Sequence, residues 1–331
     1  MIKKKNLAII VLTWNDYENT IFCLKTLIEQ TLKNFNIILV DNGSTDRSLI
    51  KIINWLKKKD FLPKIVDQHF KINNNNTKIY IIKNKKNLGC GFGHNTGYNF
   101  AINNNFKIIA RIDNDMEAPK NFLKKILKNF KNLNIQAVSP KIMYKHNKNL
   151  IWWKGTRIGN SLKMQTHMRD YKYGLVDKKK YKKLKKTDSI AGCASFMRTE
   201  RLKIVGLSDK DFFYGPEDIE LSSRLKKNSK SLVVDNDVKI YHGVTQSFRS
   251  FNKRRVYFEY KYRLLLIKKI GSFWDKFFGY QVSLIKFSLY LFLFFIKKHR
   301  IKIIPVFFAI IHFFQGKLGD FDRSNPKFLS S

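Results

Sequence analysis

An α/β fold with a mostly parallel central sheet flanked by helices is what this chain predicts, and three observations predict it. Between residue 6 and about residue 143, short apolar runs alternate with longer amphipathic ones, the pattern of a sheet covered on both faces. Asp41, the glycine-rich stretch 87–97 and the acidic stretch 113–115 follow the carboxyl ends of three of those runs, where such sheets bind ligands. The length of 331 residues and the 44% hydrophobic content supply a core for one large domain with an appendage.

The elements follow in order. The run 6–13 comes after Lys3-Lys4-Lys5 and has the charge order of a signal peptide, but it stops at Trp14-Asn15-Asp16, too early for one. It reads as the first buried strand. A helix over 18–30 and a strand over 36–41 lead into Asp41-Asn42-Gly43-Ser44-Thr45-Asp46, where Asn-Gly turns the chain and a hydroxyl or carboxylate caps a helix over 46–58. A strand over 78–82 precedes Asn87-Leu88-Gly89-Cys90-Gly91-Phe92-Gly93-His94-Asn95-Thr96-Gly97, a loop whose glycines let backbone approach a ligand before a helix over 94–104. Three residues separate Gly93 from Gly97, so this is not the dinucleotide fingerprint.

The strand 106–113 ends in Asp113-Asn114-Asp115. Residues two apart in an extended segment face the same side, so both carboxylates can reach one hard divalent cation through oxygen. A helix over 119–130 and a strand over 135–139 complete this half. Residues 144–186 are lysine-rich and aromatic without a clean period, and read as a long surface excursion that shapes an acceptor site. A second portion has a strand over 189–197, a helix over 217–227 and a strand over 232–240 ending at His242. On that helix Asp218, Leu221 and Leu225 share a face. Its first turn, with Glu217 and Asp218, sits where the helix dipole favours an ionised carboxylate, the state a general base needs.

The last eighty or so residues change character. The run 277–296 is apolar apart from Lys286 and is long enough for one membrane span, whereas 303–314 is too short. The alternative is a pair of interfacial helices with cationic flanks, such as Lys297-Lys298-His299-Arg300, on anionic headgroups; Lys286 and Tyr290 interrupt the span and favour it. The net charge of +39, from 64 basic and 25 acidic residues, reflects compositional drift toward lysine as much as a basic face. A nucleic-acid-binding protein would need a basic stripe with a reading element, and the acidic crevice opposes that. Cys23, Cys90 and Cys193 form no C-x-x-C pair, so neither a disulfide framework nor a zinc site is indicated, and a reducing compartment is expected.

Together the pieces resemble glycosyltransferase family 2, in particular its rhamnosyltransferase-like members, over residues 6 to about 245. The marks are Val11-Leu12-Thr13-Trp14-Asn15, Val40 to Asp46, Asn87-Leu88-Gly89 with Gly93, Asn95 and Gly97, Asp113-Asn114-Asp115, Gly192 with Arg198, Gly215-Pro216-Glu217-Asp218-Ile219-Glu220-Leu221 with Arg224, and His242. The resemblance implies the GT-A nucleotide-sugar fold over 1–245, with 6–115 binding the donor and 116–245 carrying the acceptor side and the base. It leaves 246–331 as a membrane-associating helical region.

By that resemblance Thr13, Asn15 and Asp41 grip the base and ribose, and Asn87, Gly89 and Asn95 belong to the same donor site. Asp115, with Asp113 in support, holds Mg²⁺ or Mn²⁺ on the donor diphosphate, His242 completes the metal shell, and Asp218 is the general base. Gly215-Pro216 and Glu220 depart from the rhamnosyltransferase pattern and leave the acceptor open. The expected activity is inverting, metal-dependent sugar transfer from a nucleotide-diphosphate sugar to a glycan or lipid-linked glycan. Its expected place is the cytoplasmic face of the cell membrane, peripheral or with one span. Arg198 and Arg224 read equally as salt-bridge partners, and Arg249, Lys253, Arg254 and Arg255 as partners of diphosphate or lipid headgroups. The alternatives are a polyprenyl-phosphate sugar synthase and, from another class, a basic nucleic-acid-binding protein.

Overall fold

The computed structural model describes residues 6–73, 77–158, 174–177, 181–227, 231–244, 253–292 and 300–319. Among them the first half alternates as its apolar periods predict. It runs β1 (Leu7–Thr13), α1 (Tyr17–Ile28), β2 (Asn36–Asp41), α2 (Ser48–Lys57), β3 (Lys64–Val66), β4 (Ile79–Lys83), α3 (Cys90–Asn103) and β5 (Ile108–Ile112). Next come β6 (Met116–Glu117), α4 (Phe122–Ile126), a 3₁₀ turn, β7 (Ile135–Tyr144), β8 (Leu150–Trp153), β9 (Leu175–Val176) and β10 (Leu184–Lys186). β11 (Ala194–Arg198), α5 (Thr199–Val205), α6 (Glu217–Leu225) and β12 (Ser231–His242) close the sheet region. Three helices follow, α7 (Lys253–Ile270), α8 (Phe273–Phe292) and α9 (Arg300–Phe314).

The strands share one sheet in the order β10-β12-β7-β11-β5-β1-β2-β4-β3. From β5 to β3 every neighbour is parallel, because each crossover is a helix or a long connection. The mostly parallel expectation stops there. β11 lies antiparallel between β5 and β7, and β10 and β8 also pair antiparallel, so the sheet is mixed. β11 is also shorter than its run 189–197, since residues 189–193 leave the ladder to approach the helix α6.

Two apolar layers cover the sheet. One holds Ile9, Val11, Leu24, Leu27, Leu39, Ile52 and Leu56 under α1 and α2, and the other holds Ile10, Val40, Tyr98, Phe100, Leu221 and Leu225 under α3 and α6. The helix α3 starts four residues earlier than its expected position at 94, so most of the glycine-rich stretch is helix and not loop. The reason is packing. A side chain at Gly97 would strike Ile10, so the glycines bring α3 close against β1 and β2.

The stretch 144–186 is only partly a surface excursion. β8 extends the sheet from β7, β9 pairs with β8, and β10 pairs with β12. Asp177 ties it down by accepting from Lys141 Nζ at 2.9 Å and meeting Lys239 Nζ at 2.6 Å. Residues 159–173 and 178–180 of this stretch lie outside the described residues, as do Arg249 and the basic cluster 297–299.

The C-terminal helices are packed on the sheet domain. Phe212 and Phe213 join Tyr257, Phe258, Tyr262, Leu265, Ala309 and Phe313 in a third apolar cluster, and Lys269 bridges Asp209 and Asp211 at 2.7 and 2.9 Å. Lys261 is fully buried there among the rings of Tyr257, Phe258 and Tyr262, and burial lowers its proton affinity to about 7. No helix among the described residues is long and apolar enough to cross a membrane.

Candidate active site

The carboxyl ends of β1, β2 and β5 open on a cavity of about 950 Å³, closed on its far side by Phe213 and Tyr214 and by Arg254, Arg255 and Phe258 of α7. On the near side Asn15 sets the wall. It takes a left-handed conformation, φ 50°, which asparagine tolerates better than most residues. Its side chain donates to Thr45 Oγ1 at 3.1 Å and accepts from the Thr45 N–H at 2.8 Å, stapling the β1 end to the turn after β2. Thr13 is buried against Thr20 at 2.8 Å and still borders the cavity.

Asp41, which the resemblance assigns to base and ribose, does not itself line the cavity. Its carboxylate accepts the Ser44 N–H at 3.2 Å and is buried, and its neighbour Asn42 forms the wall instead. Asn42 donates to Asn87 Oδ1 and to the Gly89 carbonyl at 3.0 and 3.1 Å, so Asn87 and Gly89 reach the cavity as a braced loop. Gly89 has φ 82° and a side chain there would meet the Phe213 carbonyl, which instead accepts the Cys90 N–H at 2.8 Å. Asn95 is committed elsewhere. Both ends of its amide bond the Ser208 backbone, at 2.8 and 3.0 Å, which ties α3 to the segment before α6.

The acidic stretch is divided between two tasks. Asp113 and Asn114 border the cavity, and Asn114 donates to Asp16 and Thr20 at 3.1 Å each. Asp115 turns away from Asp113 toward β12, where its Oδ1 lies 3.2 Å from His242 Nε2. Both residues are buried, and the indole of Trp152 stands edge-on to the His242 ring with centroids 4.5 Å apart. His242 Nδ1 has no hydrogen-bond partner. Among the described residues no three His, Cys, Asp or Glu side chains come together to enclose an ion. The Asp115 carboxylate suits Mg²⁺ or Mn²⁺, the His242 imidazole nitrogen favours the softer Mn²⁺ over Mg²⁺, and two protein donors fit an ion that substrate phosphates and water complete.

Asp218 opens α6 on the other flank. Its Oδ2 accepts the Gly192 N–H at 2.9 Å and its Oδ1 the Ile219 N–H at 2.8 Å. A side chain at Gly192 would sit 3.0 Å from that Oδ2 and press on the carboxylate. Burial and then the charge of Glu217 raise its proton affinity to about 7, against the lowering effects of Arg111 and the two N–H groups. The expectation that the helix dipole holds this carboxylate ionised is thereby corrected. A helix end contributes about 0.3–1 kcal/mol, whereas burial can shift a carboxylate by several pH units.

Asp113 is likewise pushed up to about 6, by burial first, with Arg111 opposing. Neither Asp115 nor Asp218 lies on the wall of the large cavity itself, but both flank it at the same end of the sheet. The Cys193 thiol, buried beside β5, feels Asp113, Asp115 and Asp218 together, and the Cys193 carbonyl accepts the Asp113 N–H at 2.9 Å.

Sequence reasoning missed a buried layer behind Asp113. Arg111 and His94 are both buried and approach Asp113 Oδ1 at 3.6 and 3.9 Å. His94 donates its Nδ1–H to the Cys90 carbonyl at 2.8 Å, which leaves Nε2 bare, and burial keeps the ring neutral. The signal for Arg111 was present as an arginine inside the apolar run of a central strand. Arg198 and Arg224 hold backbone, Arg198 the carbonyls of Phe130, Asn132 and Ile135, and Arg224 those of Val205, Gly206 and Leu207 beside its pair with Glu220.

Comparison with known proteins gives a consistent picture. The family model described as Glycosyl transferase family 2 matches residues 8–202. An uncharacterized protein of Methanocaldococcus jannaschii is 30% identical over 138 residues, 41% of this chain and 52% of its own length. The chain thus spans about half the length of the curated relative it matches. Among solved structures, GalNAc-T7 with UDP, GalNAc and Mn²⁺ superposes with a TM-score of 0.55 at 17% identity, over 72% of this chain and 43% of that one. TarS of S. aureus gives 0.51 at 15% identity, over 79% and 39%. Residues 1–349 of TarS in complex with UDP give 0.50 at 16%, over 79% and 65%. These likenesses concern the fold.

Proposed function

The chain belongs to glycosyl transferase family 2, and from that premise we propose that it transfers a sugar from a nucleotide-diphosphate sugar to an acceptor hydroxyl with inversion. The observation that carries the reading is that Asp113 borders the cavity while Asp115, paired with His242, and Asp218, braced by the Gly192 N–H, stand on its two flanks. Thr13, Asn15 and Asn42 with Asn87 and Gly89 receive the nucleoside end, and Asp41 shapes their turn. Asp115 and His242 would hold Mg²⁺ or Mn²⁺ against the diphosphate, the ion that also accompanies UDP in the GalNAc-T7 structure. When bound, that ion offsets as a Lewis acid the charge that builds on the leaving diphosphate.

Asp218 takes the proton of the attacking hydroxyl. Its affinity near 7 suits a group that must accept that proton at neutral pH and release it afterwards. Arg254 and Arg255 bring positive charge to the side of the cavity opposite the acidic stretch, where a phosphate group needs it. Phe213, Tyr214 and Phe258 offer apolar faces to the sugar rings of a glycan or a lipid-linked glycan.

A nucleotide-sugar panel assayed for metal-dependent hydrolysis and transfer tests this reading. Loss of turnover in Asp115→Ala and in Asp218→Asn is expected, and normal turnover in both would refute it. A polyprenyl-phosphate sugar synthase is the second reading, favoured by the two arginines in the wall. A phosphate acceptor needs no strong base, so an active Asp218→Asn enzyme with a lipid-phosphate product identifies it.

Attachment to an anionic membrane surface belongs to the same proposal. Phe273, Trp274, Phe277, Leu284, Ile285 and Leu289 of α8 are all exposed, and with Phe307 and Phe314 of α9 they make an apolar face larger than isolated surface residues explain. Interfacial helices with lysine-rich surroundings fit it better than a span. The cytoplasmic membrane face is the location we propose, and the exposed apolar helices support its membrane part.

A further inference from the structure

Arg111 has no part in the roles assigned so far. It stands on β5 two residues before Asp113 and is 4% exposed, so its charge sits inside the sheet. Its Nη2 donates to Glu217 Oε1 at 3.1 Å and to Cys90 Sγ at 2.9 Å, and its Nε points at Asp113 Oδ1 from 3.6 Å. Gly192 is all that separates the same guanidinium from the next carboxylate. A Cβ there would be 3.3 Å from Arg111 Nη2 and 3.0 Å from Asp218 Oδ2.

Stability alone is a poor reason for such a pair. Buried ion pairs can often be replaced by apolar residues without loss. Here the pair is also incompletely satisfied, since Arg111 Nε and Glu217 Oε2 lack hydrogen-bond partners. What the arrangement does achieve is a link between the two acidic clusters, which approach from β5 and α6 and would otherwise repel one another.

We propose that Arg111 is a positioning residue, a single buried guanidinium that braces Asp113 on the donor side and the Glu217–Asp218 pair on the acceptor side. The proposal rests on the assignment of Asp218 as proton acceptor. The charged and titratable groups facing Asp218 are Glu217 on its own helix, Arg111 on β5 and the neutral Cys193 thiol before β11, with Asp113 and Asp115 beyond that thiol. Arg111 favours the ionised carboxylate and Glu217 opposes it, so removing one or the other moves Asp218 in opposite directions.

The test needs no knowledge of the substrate. Aspartate labelled with ¹³C at the side-chain carboxyl is titrated in the full-length protein, with the Asp218 resonance assigned by its absence from Asp218→Asn. Arg111→Met is expected to raise the Asp218 midpoint by about 1 pH unit or more, Glu217→Gln to lower it, and Arg111→Lys to keep it near wild type. Unmoved midpoints in Arg111→Met and Glu217→Gln, or shifts of the same sign, overturn the proposal. If Arg111→Met does not fold, Arg111→Gln takes its place, and an unmoved Asp218 midpoint in that variant overturns the proposal. The two failures stay distinguishable. Retained turnover in Asp218→Asn removes the proton-acceptor assignment, whereas unmoved midpoints beside an inactive Asp218→Asn remove only the role of Arg111.

Discussion

At the scale of single residues, the chemistry turns on a carboxylate held near neutrality. If Asp218 is the base, turnover is expected to fall about tenfold for each pH unit below about 7 and to level off above it, because only the ionised form accepts a proton. A pH profile of kcat measures this, and a flat profile between 5 and 8 (roughly the span a carboxylate of ordinary affinity leaves unaffected) contradicts it. Asp218→Asn is expected to lower kcat about 100- to 10,000-fold.

The same shift has a sign in stability. The folded carboxyl binds its proton more tightly than the unfolded one, so its contribution is fully present below the unfolded value of 3.8 and is lost as pH rises through about 7. Melting temperatures across that window are expected to fall with rising pH more steeply in the wild type than in Asp218→Asn. Asp113, Asp115, Asp218 and His242 were legible as an ordered set of motif residues in the sequence. The protonation of Asp218 was not, because its burial depends on Gly192 and β11 arriving from distant parts of the chain.

At the scale of elements, glycines misled and then explained. The stretch 87–97 reads as a ligand loop from its composition, yet from Cys90 on it is the first half of α3, and Gly97 serves the packing of that helix on Ile10. A helix made of small residues leaves little periodic signal for its own start. Gly192 shows the converse case. The resemblance marked it without giving it a role, and a methyl group there would crowd both Asp218 and Arg111. Gly192→Ala is expected to cost about 1–3 kcal/mol of stability by overpacking and to depress turnover beyond what the loss of folded protein explains. Denaturant titration beside kcat per folded molecule separates the two effects, and full activity in the variant contradicts the close approach.

At the scale of the whole molecule, β11 is the hinge of the design. The parallel half from β5 to β3 follows from strict alternation along the chain and was readable as such. The insertion of β11 between β5 and β7 was not, because antiparallel pairing across about 80 residues has no local signature. That insertion carries Gly192 and Cys193 between the two acidic clusters. The helices α7 to α9 complete the molecule, with α7 closing the cavity and α8 exposing Phe273, Trp274 and Phe277. Replacing those three by glutamate is expected to abolish co-sedimentation with anionic vesicles while leaving nucleotide binding unchanged; unchanged sedimentation contradicts the membrane role.

The proposal that Asp115 would hold a divalent ion on the donor diphosphate is tested most directly by calorimetric titration of a nucleoside diphosphate into the full chain, with Mn²⁺ and with EDTA. The account expects binding at least about tenfold tighter with Mn²⁺, a gain of about 1.4 kcal/mol, lost in Asp115→Ala and kept in Asp218→Asn. Equal affinity with Mn²⁺ and EDTA, or a metal effect that survives Asp115→Ala, contradicts it.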